Sequence, residues 1–177
     1  MEHATFIDNE GLDLLLERDV PVVPALQFEY ASIERGPEFG MSQRVIDGHK
    51  ETLEGGAESA RRIHKAGGRL GMGGDYGFAW NPHGTYAKEL TFFVRYVGFS
   101  ALEVIRCATQ RGAEILGRAD EIGTLEVGKL GDVLVVDGDV EADISVLEDR
   151  SRILAVLQGG IFRAGLGGDG SSGAPWL

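Results

Sequence analysis

Apolar positions along this chain follow helix spacing in some stretches and strand spacing in others. In DNEGLDLLLERD, beginning at Asp8, a capping residue precedes Leu12, Leu15 and Leu16, a stripe that predicts a short amphipathic helix. The β-branched run at residues 20–26 has the length of a buried strand, with Pro24 at its end because proline donates no ladder hydrogen bond. Residues 27–42 carry Gly36, Pro37 and Gly40 and read as a loop. Residues 43–66 regain helical periodicity, interrupted by Gly55 and Gly56 and stopped by Gly67 and Gly68. A short strand, RLGMGG at 69–74, then leads into a loop that holds Asp75. Two further helices follow at 86–97 and 101–116, separated by Gly98, the second capped by Ser100. Such alternation of strands and helices builds a parallel sheet, either closed as a barrel or open and doubly wound.

After Gly117 the pattern changes. Gly123, Gly128, Gly131 and Gly138 separate short apolar runs, and RILAVLQGGIFRAG at 152–165 supplies another pair. These predict a small antiparallel β unit with one short helix near 144–149. Residues 166–177 are rich in glycine and serine and predict a disordered tail. The sequence contains no internal repeat and no heptad run.

Composition narrows the function classes. The 177 residues are 43% hydrophobic, enough for a core, and carry 28 acidic against 17 basic side chains, a net charge of -11. No Lys/Arg stripe offers itself to phosphates, which argues against a nucleic-acid partner. Apolar runs fall well short of the ~20 residues of a membrane span, and Met1, Glu2 and His3 do not open a signal peptide. The expectation is a soluble, cytoplasmic chain with no membrane partner. The single cysteine, Cys107, sits at apolar helical spacing and reads as a core residue rather than a nucleophile.

The chemistry concentrates in LGMGGDYGFAWNPHGTYAKEL, residues 70–90. In a parallel α/β fold, residues just past the carboxyl ends of strands face the functional crevice. Asp75 follows one inferred strand, Gln27 another, and His3 would follow a third whose body lies before Met1. Gly73, Gly74 and Gly77 would let backbone approach a metal or substrate closely. Asp75 reads equally as a turn or helix-capping aspartate. His83, in NPHG between Pro82 and Gly84, is either a substrate contact or a structural residue. His49 and His64 lie within the long helix as surface or packing residues. Glu89 could touch the loop from its helix N-terminus or belong to a solvated face. Phe28, Tyr30, Phe78 and Trp80 suggest an aromatic wall, or simply packing. The sequence has no HxH, CxxC or GxSxG, and no GxGxxG in a βαβ context.

Three blocks in order, GGDYGFAWNPHG, SALEVIRCATQRGAEILG, and IGTLEVGKLGDVLVVDGD with RILAVLQGG, resemble the C-terminal half of a metal-dependent amidohydrolase, in the imidazolonepropionase-like and prolidase-like branch. The resemblance runs from about His3 to Gly160. It implies an α/β fold: residues 1–117 as the C-terminal portion of a (β/α)8 TIM-type barrel, from the end of strand 6 through strand 8, then a small β-sandwich segment at 118–165. It also implies cleavage of a C–N bond, in an amide, cyclic amide or dipeptide-like small molecule, by metal-activated water. The cofactor would be a divalent metal, zinc above all, with one or two ions in the complete protein. GGD matches the eighth-strand motif, making Asp75 a metal ligand and the general base and acid. EHA resembles the end of the sixth strand, making His3 a metal ligand, and His83 is similar to a substrate-binding histidine. Gly131 stands where alanine is usual, a change expected to alter packing more than chemistry.

The chemistry these roles demand is consistent with the residue types. A divalent metal lowers the pKa of bound water from 15.7 to about 7, and an adjacent aspartate can take that proton and pass it to the leaving nitrogen. A complete barrel takes ~250 residues, and zinc sites take at least three protein ligands. With His3 and Asp75 alone, the expectation is a fragment lacking the N-terminal ligands and inactive by itself. Two open sheet edges would make it aggregate, form a homo-oligomer or require a complementary N-terminal chain. The alternative is a non-catalytic or partner-dependent half-barrel module.

Overall fold

The computed structural model describes residues 1–165, so the tail expected at 166–177 lies outside the described residues. Helix α1 (Asn9–Glu17) starts where the capping signal put it, the Asp8 carboxylate accepting the Gly11 N–H at 2.7 Å. The strand expected at 20–26 contracts to a two-residue centre. Val22 pairs in parallel with Leu70, and Val23 pairs in parallel with Glu2. Val22 N–H donates to Arg69 O at 2.9 Å and Gly71 N–H to Val22 O at 2.8 Å, while His3 N–H donates to Val23 O at 3.0 Å. Pro21 and Pro24 flank this centre and contribute no N–H, which keeps the ladder short. Three extended stretches thus lie side by side, parallel and in chain order. Among the described residues, no further strand pairs outside Glu2 or Leu70.

The loop expected at 27–42 is instead helical. Helix α2 (Leu26–Arg35) runs into a 3-10 turn, Gly36–Phe39, and only Gly40, at φ 82°, reverses the chain. The glycines and proline that signalled a loop mark the end of a helix. Ala25, at the N-cap, offers no side-chain cap, so the start of α2 was invisible locally. Helix α3 (Gln43–Lys65) continues unbroken through Gly55 and Gly56. A side chain at Gly56 would press on Leu26 at 3.3 Å, so the glycine permits the close approach of α2 to α3. Gly67, at φ 78°, then ends the helix as expected.

Helix α4 (Ala87–Phe92) extends through a π turn, Phe93–Val97, to Gly98. Helix α5 (Ala101–Arg106) begins with a full capping box between Ser100 and Glu103, then passes through a π turn into α6 (Gly112–Ile115). These helices and the parallel stretches bury Val22, Leu26, Ile63, Phe93 and Val104 together. Cys107 is buried, and desolvation pushes its thiol up to about 11, which suits an inert core residue.

The C-terminal segment forms an antiparallel sheet in the order β1 (Val133–Val136), β2 (Ile153–Gln158), β3 (Ile161–Gly165). The short helix expected near 144–149 is a 3-10 turn, Ile144–Glu148, whose Ile144 is buried in the main core. A Cβ at Gly131 would sit 3.1 Å from Gly160 backbone, while Gly160 N–H donates to Gly131 O at 2.9 Å. Glycine here suits a close backbone contact, in keeping with a packing change. No helix among the described residues is long and apolar enough to cross a membrane.

Phe93 is fully buried and meets Phe99 edge to face, with ring centroids 5.5 Å apart. Phe93→Ala is expected to lower the unfolding free energy by about 3–5 kcal/mol. Urea unfolding followed by circular dichroism measures this, and a loss below ~1 kcal/mol would show that Phe93 does not anchor the core.

Candidate functional site

His3 and Asp75 leave two parallel stretches on either side of Val22 and Val23, and they meet at their carboxyl ends. His3 Nε2 lies 3.5 Å from Asp75 Oδ2, each side chain 46% exposed. Both residues hold left-handed backbone, at φ 63° and 46°, a conformation that L side chains rarely adopt and that costs on the order of 1–3 kcal/mol each. His3 is held by its backbone bond to Val23. Asp75 is held from below by Asn81, fully buried, whose Nδ2 donates to Gly74 O at 2.6 Å and Asp75 O at 3.0 Å.

Asn81 belongs to a buried polar cluster. Gln27 Nε2 donates to Asn81 Oδ1 at 3.0 Å and to Thr85 Oγ1 at 2.9 Å, and Tyr76 OH donates to Gln27 Oε1 at 2.9 Å. Glu89 closes the cluster: its two carboxylate oxygens accept the Leu26 and Gln27 N–H groups, at 3.1 and 2.7 Å, and cap α2 across the fold. Glu89 is 2% exposed. Desolvation pushes its carboxyl up to about 8 against the pull of those two backbone bonds, and the Asp75 carboxylate adds to the rise. Burial likewise pushes the Tyr76 phenol up, with Glu89 and Tyr86 contributing.

Glu89 is therefore a buried clamp and not part of a solvated helix face. Its signal was present in the sequence: Glu89, Phe92, Phe93 and Tyr96 stand at i, i+3, i+4 and i+7, the apolar stripe of the helix. Asn81 carried no comparable signal beyond its place in the loop.

His83 stands over Gly77, where a Cβ would lie 3.2 Å from its Nε2, and its Nδ1 is 3.0 Å from Tyr86 OH. The aromatic wall forms from three of its four expected members. Phe28 and Phe78 lie 5.1 Å apart and Phe78 stacks on Trp80 at 5.1 Å, whereas Tyr30 packs elsewhere, on Phe92 at 4.8 Å. Phe39 joins beside Trp80 at 6.1 Å. His49 pairs with Glu29 at 2.6 Å, and His64 packs edge-on against Phe99 at 4.1 Å.

An imidazole nitrogen and a carboxylate oxygen are donor types that zinc accepts. The facing pair His3 and Asp75 fits part of a metal site. Among the described residues no group of three or more His, Cys, Asp or Glu gathers to hold an ion. Glu89 cannot join the pair as built, because both its oxygens already hold backbone N–H groups.

A family model described as "Amidohydrolase family" matches residues 1–162. The chain belongs to the amidohydrolase family. A prolidase solved with N-methylphosphonate-L-proline superposes with a TM-score of 0.81 at 31% identity, covering 91% of this chain and 39% of that one. A Xaa-Pro dipeptidase with bound methionine gives 0.79 at 30% identity, over 93% of this chain and 39% of that one. Ochratoxinase of Aspergillus niger is 27% identical over 174 residues, 94% of this chain and 34% of that protein. Imidazolonepropionase of Caldanaerobacter subterraneus subsp. tengcongensis is 32% identical over 136 residues, 77% of this chain and 28% of that protein. This amidohydrolase chain thus spans well under half the length of each of these relatives.

Because folding raises its pKa, Glu89 takes up a proton on folding between the ordinary carboxylate range and about pH 8. The stability it contributes is complete below that range and is lost as pH rises through the window, by up to about 1.4 kcal/mol per pH unit. Glu89→Gln keeps the volume and cannot ionise. Its unfolding free energy is expected to decline less than the wild type's between about pH 5 and about pH 8, measured by urea titration; parallel profiles would mean that Glu89 does not titrate there.

Proposed function

We propose that this chain carries the closing portion of a metal-dependent hydrolase site that cleaves a C–N bond in an amide, cyclic amide or dipeptide-like small molecule. The observation that carries the reading is the meeting of His3 Nε2 and Asp75 Oδ2, 3.5 Å apart, at the ends of parallel stretches in an amidohydrolase chain. In this reading residues 1–117 are the last part of a (β/α)8 barrel and the antiparallel sheet is part of a β-sandwich. His3 and Asp75 are two of the ligands of a divalent metal, zinc by donor type. The other ligands come from polypeptide outside these residues.

A divalent cation bound there would polarise the scissile carbonyl and make a water easier to deprotonate. The Asp75 carboxylate accepts the proton that the attacking water gives up as its oxygen bonds to the carbonyl carbon. As the C–N bond breaks, Asp75 returns the proton to the leaving nitrogen, so that water is consumed and an acid and an amine are released. His83, its ring oriented by Tyr86, donates from Nε2 to an oxygen of the substrate. Phe28, Phe78 and Trp80 pack against an apolar or planar group beside the amide. The prolidase and dipeptidase structures favour a dipeptide-like substrate among these classes.

The test uses the longest natural polypeptide that contains these residues, assayed with zinc against Xaa-Pro dipeptides and N-acyl amino acids. Turnover is expected, and Asp75→Asn is expected to lower kcat/KM by roughly 10³-fold. Full activity in Asp75→Asn would remove Asp75 from the proton transfers. No turnover of any amide by the wild type would favour the non-catalytic, partner-dependent module.

A further inference from the structure

We propose that Asn81 is a positioning residue, oriented by Gln27, that holds Asp75 in the left-handed conformation in which its carboxylate meets His3. The inference rests on the reading of His3 and Asp75 as metal ligands, and its geometric half stands apart from that reading.

Consecutive carbonyls of an extended chain point in opposite directions, so a single amide group cannot reach two of them. The Asn81 carboxamide donates to both Gly74 O and Asp75 O, at 2.6 and 3.0 Å. This is open to it because the chain is not extended at Asp75 but turned, with φ at 46°. The pair of bonds is therefore satisfied by the turned conformation and lost in an extended one. With both amide hydrogens committed to these carbonyls, a relaxation of Asp75 to extended backbone would leave a donor unpaired in a fully buried place.

Asn81 is itself fixed at every polar atom. Its N–H donates to Phe78 O and its carbonyl accepts from Gly77 N–H, both at 3.0 Å. Its carboxamide has one orientation available, because Gln27 Nε2 donates to Oδ1 at 3.0 Å and so turns the nitrogen toward Asp75. Gln27 is secured by Tyr76, Thr85 and, through its backbone, Glu89. The path from the start of α2 to the Asp75 peptide is thus a run of hydrogen bonds through side chains that are almost wholly buried. Among the described residues neither Asn81 nor Gln27 bonds to His3, so whatever they do for the facing pair they do through Asp75.

NMR on the isotope-labelled chain separates positioning from plain stability. A strong intraresidue amide-to-Hα NOE at Asp75 reports positive φ, and Co2+ titration followed by broadening of the His3 ring protons reports whether the two ligands share an ion. The wild type is expected to show both. Asn81→Ala is expected to weaken the NOE and to shift the Co2+ titration at least about tenfold, to the position of Asp75→Asn. Gln27→Ala, which frees the Asn81 carboxamide to rotate, is expected to move both readouts in the same direction by a smaller amount, and it carries the test if Asn81→Ala does not fold. A folded Asn81→Ala or Gln27→Ala with lower thermal stability but an unchanged NOE and Co2+ titration would overturn the proposal. So would a wild-type Asp75 without the strong NOE. If Co2+ leaves His3 sharp in the wild type while the NOE still depends on Asn81, the ligand reading fails and the positioning of Asp75 stands.

Discussion

The contact on which the site region depends is the Glu89 carboxylate at the first turn of α2. A helix begins with N–H groups that lack partners inside the helix, and here the chain preceding α2 supplies none. Glu89, from the start of α4, fills two of those places with one side chain. Taking a carboxylate out of water is costly, and the two N–H bonds together with the positive end of the helix offset only part of that cost, so the carboxyl holds its proton more tightly than an exposed one. The exchange links the helix after the second parallel stretch to the helix after the third. Gln27 and Phe28 then project from a fixed first turn, one toward the Asp75 loop and the other toward Phe78. Without that carboxylate the side chains beneath Asp75 would have no common reference.

Local signals in the sequence were reliable where the interaction that makes the element is itself local. Asp8 caps α1, Ser100 and Glu103 form a capping box, and Gly67 stops α3, each within a few residues of its partner. Helix α2 was not legible because its cap lies 62 and 63 residues away along the chain. Gly55 and Gly56 looked like interruptions because their use, allowing close packing, shows only once α3 has neighbours. Proximity in sequence puts Tyr30 with the aromatic wall. On a helix, however, Phe28 and Tyr30 are two positions apart and face different directions, so Tyr30 went to Phe92. His3, Gln27 and Asp75 could all be placed at the crevice because strand ends in parallel α/β folds converge on one side, and it was the resemblance to the amidohydrolases that paired His3 with Asp75.

The parallel stretches show how little pairing is needed when helices cover the strands. Prolines on both sides of Val22 and Val23 limit the ladder, and yet Val22 is 1% exposed and Leu70 3%. Burial by the helices that follow holds the stretches in register in place of long runs of hydrogen bonds. Just past the third stretch, a cleft of about 790 Å³ opens between Met72, Tyr76, Tyr86, Leu134 and Leu147. Its wall is largely apolar and joins the start of α4 to the C-terminal segment.

The two facing residues His3 and Asp75 share an unusual feature, positive φ at a residue that is not glycine, and they reach it by different means. Aspartate tolerates left-handed backbone better than most residues, and Asp75 has Gly74 before it and a buried amide beneath it. His3 is followed by Ala4, also left-handed at φ 51°, so two successive residues are turned, held by the His3-to-Val23 and Ala4-to-Glu2 backbone bonds and by the packing of Ala4 on the core. The segment after them is tied down: Ser59 Oγ donates to Thr5 O at 2.7 Å and accepts Ile7 N–H at 3.1 Å from within α3. Strain at the two residues is thus balanced against separate supports, α3 on one side and the Gln27 and Asn81 pair on the other. The space between the imidazole and the carboxylate stays open to solvent, with both side chains near half exposed, while the backbone that aims them is locked below. Side chains aimed by a backbone fixed in this way are pre-organised, their geometry set by packing beneath them and not by each other.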